Sequence, residues 1–177
     1  MDRLFIALTV AMAVIVTASN ILVQHAINDW LTWGALTYPV AFLITDLTNR
    51  LQGPAMARRV VIVGFLFAVL LSFWLATPRI ALASGTAFLV AQLLDVMVFD
   101  RLRNKTWWLP PLASSSLGSV VDTVLFFSIA FAATGLPWIT WAIGDFAVKM
   151  AVALFMLIPF RIAYTWWRKQ QSPALSA

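Results

Sequence analysis

Six apolar stretches occupy most of this chain: Leu4–Val23, Gly34–Leu47, Val60–Leu75, Ile80–Phe99, Pro111–Ala133 and Ile143–Tyr164. A helix needs roughly 20 apolar residues to cross about 30 Å of hydrocarbon. All six qualify approximately, Val60–Leu75 with 16 residues among them. The second is short unless Trp30–Trp33 begin it, so it is expected to be tilted, broken or partly re-entrant. The composition agrees: 62% of the 177 residues are hydrophobic and 11% are charged, against about 45–50% and 25% in soluble domains. The expected fold is an all-α integral membrane protein, a bundle of six transmembrane helices in one domain (residues 1–169). The tail 170–177 is expected to be disordered. A secretory signal peptide at residues 1–23 is a weaker reading, because its apolar core is too long and no soluble mature domain follows.

The net charge of +5 could suggest nucleic acid, but the positions of the basic residues argue otherwise. With the N-terminus inside, Arg3, Arg50, Arg58, Arg59, Arg101, Arg103, Lys105, Arg161, Arg168 and Lys169 fall on the cytoplasmic side. Arg79 alone falls outside, and Lys149 lies within a span. That asymmetry is the positive-inside pattern. It predicts both termini in the cytoplasm and basic loops resting on anionic lipid. Trp30, Trp33, Trp107, Trp108, Trp138, Trp141, Trp166 and Trp167 stand near the predicted interfaces, as aromatic belts do.

Chemistry is restricted by what is missing. The chain has no Cys, no Glu and one histidine, His25. No metal site, cofactor or thiol nucleophile is expected, and no G-x-x-x-x-G-K-[ST] motif for ATP hydrolysis occurs. Scattered aspartates do not make an enzyme of the intramembrane hydrolase kind.

The informative residues are carboxylates inside apolar runs. A charged Asp at the bilayer centre costs about 2.5–3.5 kcal/mol on insertion scales, so it should face protein or water. Residues four apart share a helix face. Ala83, Ala87, Ala91 and Asp95 make one such row, with Gln92 beside it. Ser115, Ser119 and Asp122 make another, with Gly118 adjacent. Small residues let helices approach closely in lipid. Both aspartates should therefore point into the bundle, with Phe99, Phe126 and Phe127 on other sides. Asp46 near the end of the second span either supports the site, caps a helix or pairs with Arg50. Asp145 and Lys149, one turn apart, are either an intrahelical ion pair or part of a substrate path. Asn20 is either a path residue or a helix–helix hydrogen bond.

Several blocks carry a resemblance. They are 17-TASNILVQ-24, 32-TWGALTYPVAFLITDLTNRLQGPAMARRVV-61, 91-AQLLDVMVFDRLRNKTWWLPPLASSSLGSVVDTVLFFSIAF-131 and the spacing of Asp145, Lys149 and Pro159. On these the chain resembles the queuosine-precursor transporters, also called the vitamin-uptake transporter family. It departs from many relatives at Gln52, where an aromatic is common, in lacking a Glu near Arg50, and in a short loop at Ala76–Arg79.

The resemblance implies uptake, across the bacterial inner membrane, of 7-deazaguanines destined for modified tRNA: 7-cyano-7-deazaguanine, 7-aminomethyl-7-deazaguanine and in some bacteria queuine. It implies substrate contacts among Asn20, Tyr38, Phe42, Asp46, Gln92, Asp95, Ser115, Ser119, Asp122, Asp145 and Lys149. A deazaguanine offers adjacent N1–H and N2–H donors to one carboxylate, with Asp122 or Asp95 as that carboxylate and Asp46 in support. Gln92, Asn20 or a serine would donate to O6, and Phe42, Tyr38 or Phe126 would stack on the base. The expected partners are the small-molecule substrate and the bilayer, with no nucleic acid. A homodimer is compatible with so small a carrier. The alternative is a substrate-binding subunit that borrows an ATPase module, as energy-coupling-factor importers do.

Overall fold

A computed structural model describes residues 3–75 and 77–171. In chain order the elements are α1 (Arg3–Leu22), β1 (Ala26–Asn28), β2 (Leu31–Thr32), α2 (Gly34–Thr37), α3 (Pro39–Gln52), α4 (Pro54–Leu75), α5 (Pro78–Leu102), α6 (Leu109–Phe131) and α7 (Trp138–Gln171). Five helices, α1, α4, α5, α6 and α7, are long and apolar enough to cross a membrane. Exposed Leu66, Phe67, Leu70 and Phe73 give α4, and Leu154, Phe155, Ile158 and Ile162 give α7, an apolar outer face. The chain is thus a helical, multi-pass membrane protein. Residues 172–177 of the expected tail lie outside the described residues.

The short second stretch is broken, as its length suggested. Tyr38 keeps a helical backbone between α2 and α3. Pro39 supplies no N–H to the ladder, so the two pieces meet at a joint rather than a continuous helix. Gly53, with φ of 87°, closes α3 where a side chain would be strained. Prolines also stand at the starts of α5 and α6, where the missing N–H costs nothing. Thr77 caps α5 by accepting from the Ile80 amide at 3.3 Å. Pro159 lies inside α7, which continues past it. At 1.5 Å per residue, the 34 residues of α7 reach about 51 Å, so this helix tilts or extends beyond the hydrocarbon.

The sequence did not announce the antiparallel pair β1–β2, in which Ala26 faces Thr32 and Asn28 faces Leu31. It folds the 23–33 connection back on itself. Thr140 donates to the Asp29 carbonyl at 2.7 Å and pins this hairpin to α7.

Helix α5 is the centre of the bundle, packed most extensively on α6 and then on α4. The alanine row explains this. Ala83, Ala87 and Ala91 are fully buried, and their small side chains allow the close approach. One apolar cluster joins Met12, Val16, Phe42, Val60 and Phe88, and a second joins Ile80, Phe126, Phe127 and Phe131. Phe99, Phe126 and Phe127, expected on other sides of their helices than the aspartates, are buried as well. Aromatic packing draws them in: Phe126 meets Phe127 edge-on at 5.2 Å, and Phe99 meets Phe160 at 6.2 Å.

Candidate functional site

The polar side chains form two groups at different heights, with Lys149 lining the cavity beside each. The first group is built on the α2–α3 joint, α6 and α7. Asp145 and Lys149 share a face of α7, and Lys149 Nζ lies 2.5 Å from Asp145 Oδ2. The same ammonium donates to Asp122 Oδ2 on α6 at 2.7 Å and to Thr123 Oγ1 at 3.1 Å. Thr123 in turn donates to Asp145 Oδ2 at 2.9 Å. Tyr38, held at the joint, donates to Asp122 Oδ1 at 2.8 Å, and its ring lies 5.0 Å below the ammonium. All five side chains are buried. Two carboxylates facing one ammonium leave the group one negative charge in excess if all three are ionised, an arrangement suited to a ligand that brings N–H donors.

A narrow cavity opens beside this group, lined by Ser19, Asn20, Tyr38, Ser84, Asp122 and Phe126 among others. A second lies nearer the Arg50 end of the bundle, lined by Phe42, Asp46, Ser115, Ser119, Lys149 and Phe160 among others. Gly118 makes room there: a Cβ would come within 2.6 Å of the Phe42 ring.

The second group adjoins that cavity through Asp46 and Ser115. Asp46 accepts from Ser114 Oγ at 3.1 Å and from Ser115 Oγ at 3.0 Å. Asp95 is buried on the same α3–α5 seam, which the Thr45–Gln92 and Asn49–Val96 bonds join. Neither Asp95 oxygen receives a hydrogen bond of good geometry. Thr45 donates to Gln92 Oε1 at 2.5 Å, while Gln92 Nε2 has no partner. Ser114 and Asp122 are eight residues apart on α6, about 12 Å along the axis.

At the Arg50 end the helices are clamped. Arg50 donates to the Arg103 carbonyl at 2.9 Å and stacks on Phe99 and Tyr164 at 5.4 and 4.9 Å. Arg103 donates to the Asn49 carbonyl at 2.7 Å and to Asn49 Oδ1, and to Asp100 at 2.9 Å. Asn49 donates to the Val96 carbonyl at 3.1 Å. Asp46 therefore makes no ion pair with Arg50: serine hydroxyls hold the carboxylate and backbone and rings hold the guanidinium.

Of the residues singled out in the sequence, Tyr38, Asp122, Asp145 and Lys149 come together in one group, with Asn20 on the adjoining cavity wall. Asp46, Gln92, Asp95 and Ser115 come together in the other, with Phe42 and Ser119 on its cavity wall. Asn20 also ties α1 to α4, donating to Ser72 Oγ at 2.7 Å. Sequence reasoning passed over Thr45, Ser72 and Thr123. The signal for two of them was present: a hydroxyl directly beside an intramembrane carboxylate, as in Thr45–Asp46 and Asp122–Thr123.

Comparison with known proteins fits this construction. The family model described as "Putative vitamin uptake transporter" matches residues 32–77 and 72–164. A "Probable queuosine precursor transporter" of Haemophilus influenzae is 38% identical over 186 residues, covering 82% of this chain and 79% of that protein. The "Queuosine precursor transporter" of Escherichia coli K12 is 36% identical over 174 residues, with the same two coverages. A Bacillus subtilis protein named "Probable queuosine precursor transporter" is 29% identical over 158 residues, covering 71% and 68%. No solved structure matches the chain. With a family model matched from residue 32 to residue 164 and relatives alike along four fifths of its length, this chain belongs to the vitamin uptake transporter family.

Proposed function

We propose that this chain imports queuosine precursors across the bacterial inner membrane, as a carrier rather than an enzyme. Its working form is a six-span bundle in which α2 and α3 together make the second crossing and both termini are cytoplasmic. The distribution of basic residues supports that orientation, and it makes the Arg50–Arg103 clamp the cytoplasmic closure.

The observation that carries the reading is the buried Lys149 group set against a cavity. A 7-deazaguanine brings adjacent N1–H and N2–H donors, which match a carboxylate in a bidentate pair. Asp122 takes that edge, Lys149 donates to O6, and the Tyr38 or Phe42 ring packs on the flat face. The ammonium of an aminomethyl substrate goes to Asp145. Both cavities are too narrow for a bicyclic base, so entry requires α7 and the α2–α3 joint to part from α6. A broken helix at the site suits such a movement.

The test is uptake of labelled 7-cyano-7-deazaguanine by a strain lacking both its own transporter and precursor synthesis, expressing this chain alone. Wild type should accumulate label, and Asp122→Asn should reach the membrane in equal amount yet fail. Normal uptake by Asp122→Asn removes that residue from the site. No uptake by correctly inserted wild type moves the reading to another substrate or to a chain that needs an ATPase partner.

A further inference from the structure

We propose that the facing carboxyl groups of Asp46 and Asp95 hold one proton between them and form a proton-coupling site, separate from the Lys149 group. The role in import rests on the transport reading above; the protonation itself does not.

The geometry supplies the argument. Asp46 on α3 and Asp95 on α5 are 3% and 0% exposed and stand on the seam where Thr45 of α3 bonds Gln92 of α5 and Asn49 of α3 bonds the Val96 carbonyl of α5. Like charges enclosed in one helix seam, away from water, do not both remain ionised. Asp46 is provisioned with two serine donors. Asp95 has none of good geometry on either oxygen, which an isolated buried carboxylate could not tolerate. A shared proton removes the repulsion and supplies the missing donor.

No cation nearby substitutes for that proton. Arg50, one turn along α3, makes no ion pair with Asp46: Nη1 donates to the Arg103 carbonyl and the guanidinium stacks on two rings, while its Nε has no hydrogen-bond partner. Lys149 of α7 faces Asp46 across the cavity but is held by Asp122 and Asp145. The other groups facing the pair are neutral: Thr45 and Asn49 of α3, Gln92 of α5, Ser114 and Ser115 of α6. Among the described residues no salt bridge includes Asp46 or Asp95. Asp95 also lines neither cavity, whereas Asp46, Ser115 and Lys149 line the one between the two groups. That cavity runs from Lys149 to Asp46, the member of the pair that lines it.

The step is an O–H bond made and broken. The doubly ionised pair takes one proton from water on the outer side and returns it to water on the cytoplasmic side. Ionised, the two carboxylates repel and favour separation of α3 from α5. Protonated, they favour contact. Protonation thus biases two packings of the same helices.

Two measurements on the purified full chain in lipid test this. Infrared spectroscopy at neutral pH should reveal a protonated carboxyl C=O band that disappears in Asp95→Asn and in Asp46→Asn but survives in Asp122→Asn. A wild type without that band overturns the proposal, whatever the substrate. In vesicles, an inward gradient of one pH unit should support about tenfold accumulation of 7-cyano-7-deazaguanine for one proton per molecule. Asp95→Asn should retain exchange of internal for external substrate yet fail to accumulate. Accumulation by Asp95→Asn equal to wild type, or wild-type accumulation indifferent to the gradient, overturns the coupling. Failure of wild type even to exchange substrate would instead refute the import reading, and the infrared result would stand apart from it.

Discussion

Lys149 Nζ lies 2.7 Å from Asp122 Oδ2, with both side chains almost wholly enclosed. The pair links α7 to α6, and Asp145 makes it a triad. Removing the one ammonium leaves two buried carboxylates facing each other. Lys149→Met should therefore cost about 3–5 kcal/mol of stability, the range for breaking a buried pair from one side. Asp145→Asn should cost far less, since the neutral Lys149–Asp122 pair survives and Thr123 can still donate. Thermal unfolding in detergent checks the order. Equal loss in the two variants would mean that the lysine is not the electrostatic keystone.

Gly144 carries the hairpin. A Cβ at this position would overlap the Trp30 carbonyl, a backbone atom that cannot swing aside. Gly144→Ala should push β1–β2 off α7 and break the bond from Thr140 to Asp29. The expected cost is about 1–3 kcal/mol, as for other overpacked sites. Chymotrypsin should then cleave after Trp30 faster in the variant than in wild type. Unchanged cleavage would show that the hairpin does not depend on this contact.

Asn20 and Ser72 provide a measure of polar packing in lipid. Their 2.7 Å bond joins α1 to α4 inside the bundle. A double-mutant cycle with Asn20→Ala and Ser72→Ala should give about 0.6 kcal/mol, the mean for such bonds between membrane helices. Ser72→Ala alone should leave uptake near wild type, because Ser72 is absent from the lining of the cavity that Asn20 borders. A coupling energy near zero would return Asn20 entirely to the cavity wall.

The residues differ in how far the sequence alone could read them. The alanine row on α5 gave the packing face, because helical periodicity and side-chain size are both local properties. The weak second span was legible from its length. The i,i+4 spacing of Asp145 and Lys149 gave their ion pair. It could not give the partner of Asp122, because no basic residue stands near it on its own helix and the cation arrives from 27 residues away. Phe99 and Phe126 were misplaced although legible: each stands four residues after Asp95 or Asp122 and so shares its inward face. Phe127 is drawn in by the rings of Phe126 and Phe131. The division of the polar residues into two groups depends on relative helix heights, which no span pattern encodes.

The Arg50 clamp should behave as a gate. Its guanidinium bridges α3 to the Arg103 carbonyl while stacking on Phe99 of α5 and Tyr164 of α7. Partly buried stacking of this kind contributes about 0.5–2 kcal/mol. Losing about 1.4 kcal/mol of closed-state stabilisation raises the open population roughly tenfold. The chain contains no cysteine, so Ser115→Cys, on the wall of the cavity above the clamp, is a reporter without background. In inside-out vesicles, a membrane-impermeant maleimide should label Ser115→Cys slowly, and about tenfold faster when Arg50→Ala is added. Arg50→Lys should resemble Arg50→Ala, because an ammonium retains the charge but loses the planar stack. Equal labelling with and without Arg50 would mean that the cavity is closed by α3 and α5 packing alone, through Asn49 and Val96.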